Sequence, residues 1–144
     1  MSNSAEAYSL CKKSNFGEIV GGKIQYSLPE ALFLVEKGKM DSSEVESKMS
    51  LVQGAVGYDA FKDVDIVIEA VPEKMELKKK VFQDLEQYVS ENTIFATNTS
   101  ALSISELGAA TKRPEKVVGM HFFFPAHVMK LIEVIPGLAT NTET

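Results

Sequence analysis

The chain has 144 residues, 44% of them hydrophobic, and a formal net charge of -5. That apolar share is enough for the core of one ordinary domain and excludes a disordered chain. The acidic balance argues against a nucleic-acid surface, which needs a basic face, but leaves room for an anionic cofactor held by local donors.

Residues 1–28 are mixed polar with no sustained period and read as a poorly defined N-terminal segment. Gly21-Gly22-Lys23 lies within it, without the spacing of a phosphate loop or a dinucleotide fingerprint, and reads as a flexible turn. From Pro29 the pattern sharpens. Pro29 to Glu36 reads as a short helix with proline at its first position and Gly38 near its end. Ser43-Glu44-Val45-Glu46 reads as a capping box opening a second helix through about Gln53, closed by Gly54.

The apolar run Asp65 to Val71 predicts a buried strand, ended by Pro72. Residues 74–89 carry Leu77, Val81, Phe82, Leu85, Tyr88 and Val89 at helical spacing. Thr93 to Thr97 is the next strand, and Ser103 can cap a short helix through Ala110. Val117 to Phe122 and Met129 to Ile135 are the third and fourth strands. Strand, helix, strand, helix, strand implies an α/β fold with parallel pairing and right-handed crossovers, so ligands belong beyond the carboxyl ends of the strands.

Polar groups cluster after those ends: Glu73, Lys74 and Lys78 after the first, Asn98, Thr99 and Ser100 after the second, His121 at the third. Such groups can hydrogen-bond a ribose, an amide or a substrate hydroxyl. Ordinary turn chemistry accounts for the Asn, Thr and Ser equally well, and on spacing alone it is the preferred reading. Lys78-Lys79-Lys80 reads as a solvated helix face, and Phe122-Phe123-Phe124 as core or pocket wall.

Glu133 is sharper. Strand alternation puts it on one face with Leu131 and Ile135. If that face is buried, a lone carboxylate needs a partner. His121, twelve residues earlier by number, can be that partner, because a carboxylate fixes the tautomer of an imidazole and makes it a general base. An edge strand with Glu133 facing water explains the same spacing, and the two readings stand level.

Cys11 is the lone cysteine, and His121 and His127 are the two histidines. No intrachain disulfide, cysteine cluster or ordinary zinc site is expected. The first residues lack the basic and apolar segments of a secretory signal. The last residues, Asn141-Thr142-Glu143-Thr144, are not a peroxisomal tripeptide, and no apolar stretch approaches a membrane span. A soluble, intracellular chain is the expectation.

Three stretches taken in order carry a family resemblance: Asp65-Ile66-Val67-Ile68-Glu69-Ala70-Val71-Pro72-Glu73, Ala96-Thr97-Asn98-Thr99-Ser100, and Gly119 through Val134 with its Met120-His121-Phe122-Phe123-Phe124-Pro125 core. From about Leu34 to Glu133 the chain resembles the NAD-binding domain of 3-hydroxyacyl-CoA dehydrogenases, most closely the version in multifunctional fatty-acid β-oxidation proteins. The resemblance implies a partial Rossmann-like doubly wound sheet, mainly the second half of a dinucleotide-binding domain, over residues 29–144. It implies oxidation of L-3-hydroxyacyl-CoA to 3-ketoacyl-CoA with NAD as cofactor and an acyl-CoA as partner. His121 matches the catalytic histidine and Glu133 the glutamate paired with it. Ser100 matches a serine touching substrate and cofactor, Glu73 and Lys78 match residues on the nicotinamide side, and Asn98 belongs to the same pocket. Relatives of this kind work in the peroxisome, the mitochondrion or the bacterial cytoplasm.

The chain also departs from the family pattern. The family's first strand, glycine-rich turn and ribose-binding acid have no counterpart in residues 1–28, and its later helical domain has none either. Phe124 stands where the family usually has a small polar residue, commonly an asparagine in contact with the cofactor. Three readings follow: a dehydrogenase fragment, a non-catalytic half-domain that pairs with a full-length relative, and an enzyme completed in trans. Sheet edges without neighbours favour homo- or hetero-oligomers in the last two.

Overall fold

The computed structural model describes residues 35–50, 57–124, 126, 129 and 131–144. The expectations for residues 1–28, for the start of the Pro29 helix, for the helix end at Gln53 and Gly54, and for His127 lie outside them. The chain divides into two units, Met1–Val56 with Pro125–Val128 and Gly57–Phe124 with Met129–Thr144, and each is taken by itself.

In the first unit, Val35 and Glu36 are helical, and the Gly38 amide bonds back to the Val35 carbonyl at 2.9 Å. Gly38 has a φ of 64°, the left-handed conformation that ends a helix and that glycine adopts without penalty. Helix α1 is Ser42–Met49. Its start differs from the expected box: the Asp41 carbonyl accepts from the amides of Glu44 and Val45 at 3.0 and 3.1 Å. Asp41 therefore stands at the cap position, and Ser43 lies inside the first turn. Aspartate caps as well as serine does, and here it comes first along the chain.

The second unit holds the sheet. Strand β1 is Ile66–Glu69, helix α2 Met75–Leu85, strand β2 Ile94–Thr97, helix α3 Ile104–Ala109, strand β3 Val117–Phe122 and strand β4 Ile132–Pro136. Short 3-10 turns at Tyr58–Phe61 and Pro114–Lys116 precede β1 and β3. The strand order is β1-β2-β3-β4. The first three strands run parallel, in registers such as Ile68↔Ala96 and Thr97↔Gly119, and β4 runs antiparallel to β3. The fold is α/β and the described sheet is partial, with β1 and β4 as its flanks. Position explains a difference from the sequence reading. Residues Val67 and Glu69 of β1 are buried, whereas Ile66 is 40% exposed and Ile68 half-buried, so the two faces of the strand are covered unequally.

The core lies between sheet and helices. It gathers Val67, Phe82, Leu85, Val89, Phe95, Ile104, Leu107 and Val117. The rings of Phe82 and Phe95 stack at 4.8 Å, and the Arg113 guanidinium covers the Phe95 ring at 5.3 Å. Full burial of a side chain such as Phe82 contributes roughly 1.5–3 kcal/mol. Helix α3 begins as expected, with the Ser103 hydroxyl accepting from the Glu106 amide at 3.2 Å.

The buried stripe of α2 is Lys78, Phe82 and Leu85. This corrects the reading of Lys78-Lys79-Lys80 as one solvated face. A helix turns about 100° per residue, so consecutive lysines point different ways. Lys78 points inward. Lys79 bridges Glu76 and Glu106 at 3.0 and 2.7 Å, and Lys80 pairs with Asp84 at 3.1 Å. Of Phe122, which ends β3, and Phe123 and Phe124 after it, none is core: the first two are half-buried and Phe124 is 68% exposed, so only the pocket-wall half of that reading stands.

Candidate active site

Parallel pairing brings the carboxyl ends of β1, β2 and β3 to one edge of the sheet, and side-chain bonds tie those ends together. Glu69 ends β1 on its buried face. A carboxylate in that position needs compensation. Lys78, one turn before Phe82 on the buried stripe of α2, supplies it: the ammonium lies 2.8 and 3.0 Å from the two carboxylate oxygens, and neither side chain has exposed surface. The Thr97 hydroxyl and the Val71 amide donate to the same carboxylate, each at 2.6 Å. Lys78 also donates to the carbonyls of Val71 and Asn98 at 3.3 and 3.4 Å and faces Glu73 at 3.4 Å. Among the described residues, every buried side-chain nitrogen and oxygen has a partner.

Above this pair, Glu73 links the first loop to the second. It accepts from the Thr99 hydroxyl and, at 3.1 Å, from the Ser100 amide. Burial alone would raise its pKa. The Thr99 hydroxyl, the Lys78 ammonium and the Ser100 amide together outweigh that and hold the carboxyl below its ordinary 4.5. Thr99 in turn caps the chain that follows, accepting from the Leu102 amide at 3.0 Å. Ser100 is exposed on this edge.

His121 lies opposite Glu133 in the β3–β4 register, and its Nδ1 is 2.8 Å from Glu133 Oε2. Both sequence readings of Glu133 hold in part. Every residue of β4 is exposed, as an edge strand would have it, yet Glu133 is bonded to the imidazole. The side chains of His121 and Glu133 are 21% and 51% exposed, and the Phe123 ring packs against the imidazole at 4.8 Å between centroids.

The structure thus brings Glu73, Asn98, Ser100 and His121 to the edge where sequence placed them, and Glu133 within bonding distance of His121. Lys78 is different. With no exposed surface it does not line an open pocket; it sits beneath the loops and holds their carbonyls. Sequence reasoning passed over Glu69 and Thr97, and it named Thr99 only as one of the polar groups after β2. The available signal was a charged residue inside the apolar run Ile66-Val67-Ile68-Glu69 and a lysine in register with the apolar stripe of α2.

The model of the 3-hydroxyacyl-CoA dehydrogenase NAD binding domain matches residues 22–144. The chain belongs to this family. A 3-hydroxybutyryl-CoA dehydrogenase of Clostridioides difficile is 49% identical over 111 residues, covering 77% of this chain and 40% of that protein. The glyoxysomal fatty acid beta-oxidation multifunctional protein of Brassica napus is 46% identical over 109 residues, covering 76% of this chain and 15% of that protein. Among solved structures, (S)-3-hydroxybutyryl-CoA dehydrogenase from Ralstonia eutropha matches with a TM-score of 0.74 and 41% identity, over 77% of this chain and 39% of that one. The chain therefore spans less than half the length of these relatives. As in other members of the 3-hydroxyacyl-CoA dehydrogenase family, the cofactor is NAD and the sheet is Rossmann-like.

The residues present fit one end of that cofactor. The edge formed by Glu73, Ser100 and His121 offers a carboxylate, a hydroxyl and an imidazole, groups able to hydrogen-bond an amide or a hydroxyl beyond the strand ends. The sequence holds no Gly-x-Gly-x-x-Gly turn for the pyrophosphate. Among the described residues the fit is to the nicotinamide end.

Proposed function

We propose that this chain carries the proton-transfer half of an NAD-dependent oxidation of L-3-hydroxyacyl-CoA to 3-ketoacyl-CoA. The observation that carries the reading is the 2.8 Å bond between His121 Nδ1 and Glu133 Oε2. An ionised carboxylate can only accept, so Nδ1 bears the hydrogen and Nε2 is left with a lone pair. That lone pair takes the proton of the substrate's C3 hydroxyl. The C3–O bond becomes a carbonyl as the C3 hydrogen leaves with its electron pair. Held on the side of Glu73 and Asn98, NAD would supply the acceptor for that hydride. Glu133 stabilises the imidazolium, which then passes its proton to water. Ser100 holds the substrate hydroxyl beside the imidazole, Glu73 and Asn98 shape the nicotinamide side, and Lys78 positions both loops from below.

No helix among the described residues is long and apolar enough to cross a membrane. The multifunctional relative from Brassica is glyoxysomal by name, and a fatty acid oxidation complex subunit alpha of the bacterium Acinetobacter baylyi is 48% identical. A soluble protein of the peroxisome or the bacterial cytoplasm fits these relatives.

The test is a chimera in which residues 57–136 replace the matching segment of the Ralstonia enzyme, assayed for NADH formation from (S)-3-hydroxybutyryl-CoA. Turnover should fall by about 10²–10⁴ in His121→Ala, the usual worth of a general base. Turnover indifferent to that substitution would overturn the reading.

A second reading is favoured by β4, where Ile132, Val134 and Ile135 are 46%, 64% and 37% exposed. Among the described residues β4 has a neighbour on one side only. Such an edge fits a half-domain that pairs with a second copy or a longer relative. Light scattering over a concentration series separates this from a monomer.

A further inference from the structure

Backbone pairing between β2 and β3 ends at Thr97↔Gly119, two residues short of His121. Past that point the connection is made by one side chain. Asn98 Oδ1 accepts from the Phe122 amide at 3.1 Å, and Phe122 directly follows His121. Phe122 is the last residue of β3 and lies opposite Ile132, as His121 lies opposite Glu133.

Asn98 is itself fixed from the other side. Its amide donates to the Glu69 carbonyl at 2.7 Å, and its carbonyl accepts from the Lys78 ammonium at 3.4 Å. Glu69 and Lys78 are fully enclosed and bonded to each other, and Thr97 and Val71 complete the carboxylate's partners. The proton transfer uses none of these bonds. A buried ion pair is not by itself a strong source of stability, but well-bonded charges hold their partners in one geometry. The bonds lead in sequence from the buried pair through Asn98 to the end of the strand bearing the imidazole.

We propose that Asn98 is a positioning residue for the His121–Glu133 pair. Pinned by the enclosed Glu69–Lys78 pair, it carries the β2–β3 ladder past its backbone end, so that the end of β3 cannot fray and the imidazole keeps its register with Glu133. This rests on the reading of His121 as proton acceptor only for what the positioned ring is for. The geometry matters because a small displacement of a catalytic group costs far more rate than stability.

The experiment uses the full 144-residue chain, labelled with nitrogen-15 and carbon-13, and needs neither substrate nor NAD. Asn98→Leu keeps the size and removes the acceptor, while Asn98→Asp keeps the acceptor. In Asn98→Leu the Phe122 amide should exchange with solvent at least about tenfold faster, with the amides of Val117 to Gly119 unchanged. The His121 Nδ1 resonance should lose its carboxylate-bonded shift. Asn98→Asp should restore both. Wild-type behaviour of Phe122 and His121 in Asn98→Leu, or equal acceleration along all of β3, would overturn the proposal. If the leucine variant does not fold, the wild-type chain decides. A scalar coupling across the hydrogen bond from the Phe122 amide nitrogen to Asn98 Cγ supports the proposal, and its absence overturns it. In the chimera, Asn98→Leu should lower kcat about tenfold or more with KM little changed. Failure of the exchange experiment leaves the dehydrogenase reading intact. A chimera indifferent to His121→Ala sinks that reading without touching the exchange result.

Discussion

Lys78 shows how one residue can be placed differently by pattern and by packing. Within a run of lysines it looks solvated, yet it is the member of that run in phase with Phe82 and Leu85. The burial cost is met by Glu69, which was visible in the sequence only as a charge inside an apolar strand. No local rule joins two residues nine positions apart on a strand and a helix. The pairing exists because α2 folds back on β1. Glu73, above the pair, carries a prediction about acid. Burial opposes its ionisation, and its bonds to Thr99, Lys78 and Ser100 more than offset that, so the folded pKa is lowered. A depressed carboxylate stabilises the fold fully above its ordinary 4.5 and loses that contribution as pH falls through the lower folded value. Glu73 is 41% exposed, so solvent screening keeps the effect small. Urea titrations of wild type and Glu73→Gln should differ at pH 7 and converge as the pH falls below 4.5. A gap that stays constant across that range would contradict this account.

At the scale of elements, the strands and the two helices between them were legible because each is an uninterrupted pattern. Val117 to Phe122 matches β3 end for end, and the Ser103 cap is where the sequence put it. Helix α1 began earlier than read because Asp41 and Ser43 are both good caps, and local preference does not rank two such residues in tandem. The direction of β4 was not legible, since a strand's pattern is the same read either way. Packing between elements makes its own prediction at Gly119. A Cβ added there would lie 2.9 Å from Ile104 Cδ1 and 3.0 Å from Ile135 Cβ. The first contact can yield by rotation, but the second atom is fixed to the β4 backbone. Gly119→Ala should therefore destabilise the chain by about 1–3 kcal/mol, the usual cost of overpacking. Chemical denaturation monitored by circular dichroism would show this, and an unchanged midpoint would mean that β4 moves aside freely.

At the scale of the whole molecule, the separation between chemistry and cofactor grip is the main expectation. The His121–Glu133 pair is assembled, but the sequence holds no glycine-rich turn to seat a pyrophosphate. Calorimetric titration of this chain with NADH should therefore give a dissociation constant weaker than micromolar, that is, less favourable than about -8 kcal/mol. A micromolar or tighter constant would show that other residues grip the phosphates. The sequence by itself determined the α/β class, the order of elements and the family, because hydrophobic period and ordered motifs are properties of the chain. It also named His121 and Glu133 while leaving open whether they meet. Only the tertiary structure decided that they pair, that Lys78 is interior, and that Asn98 bridges to Phe122. Those are bonds between residues far apart in the chain, and they form only where the sheet register and the fold of α2 bring them within reach.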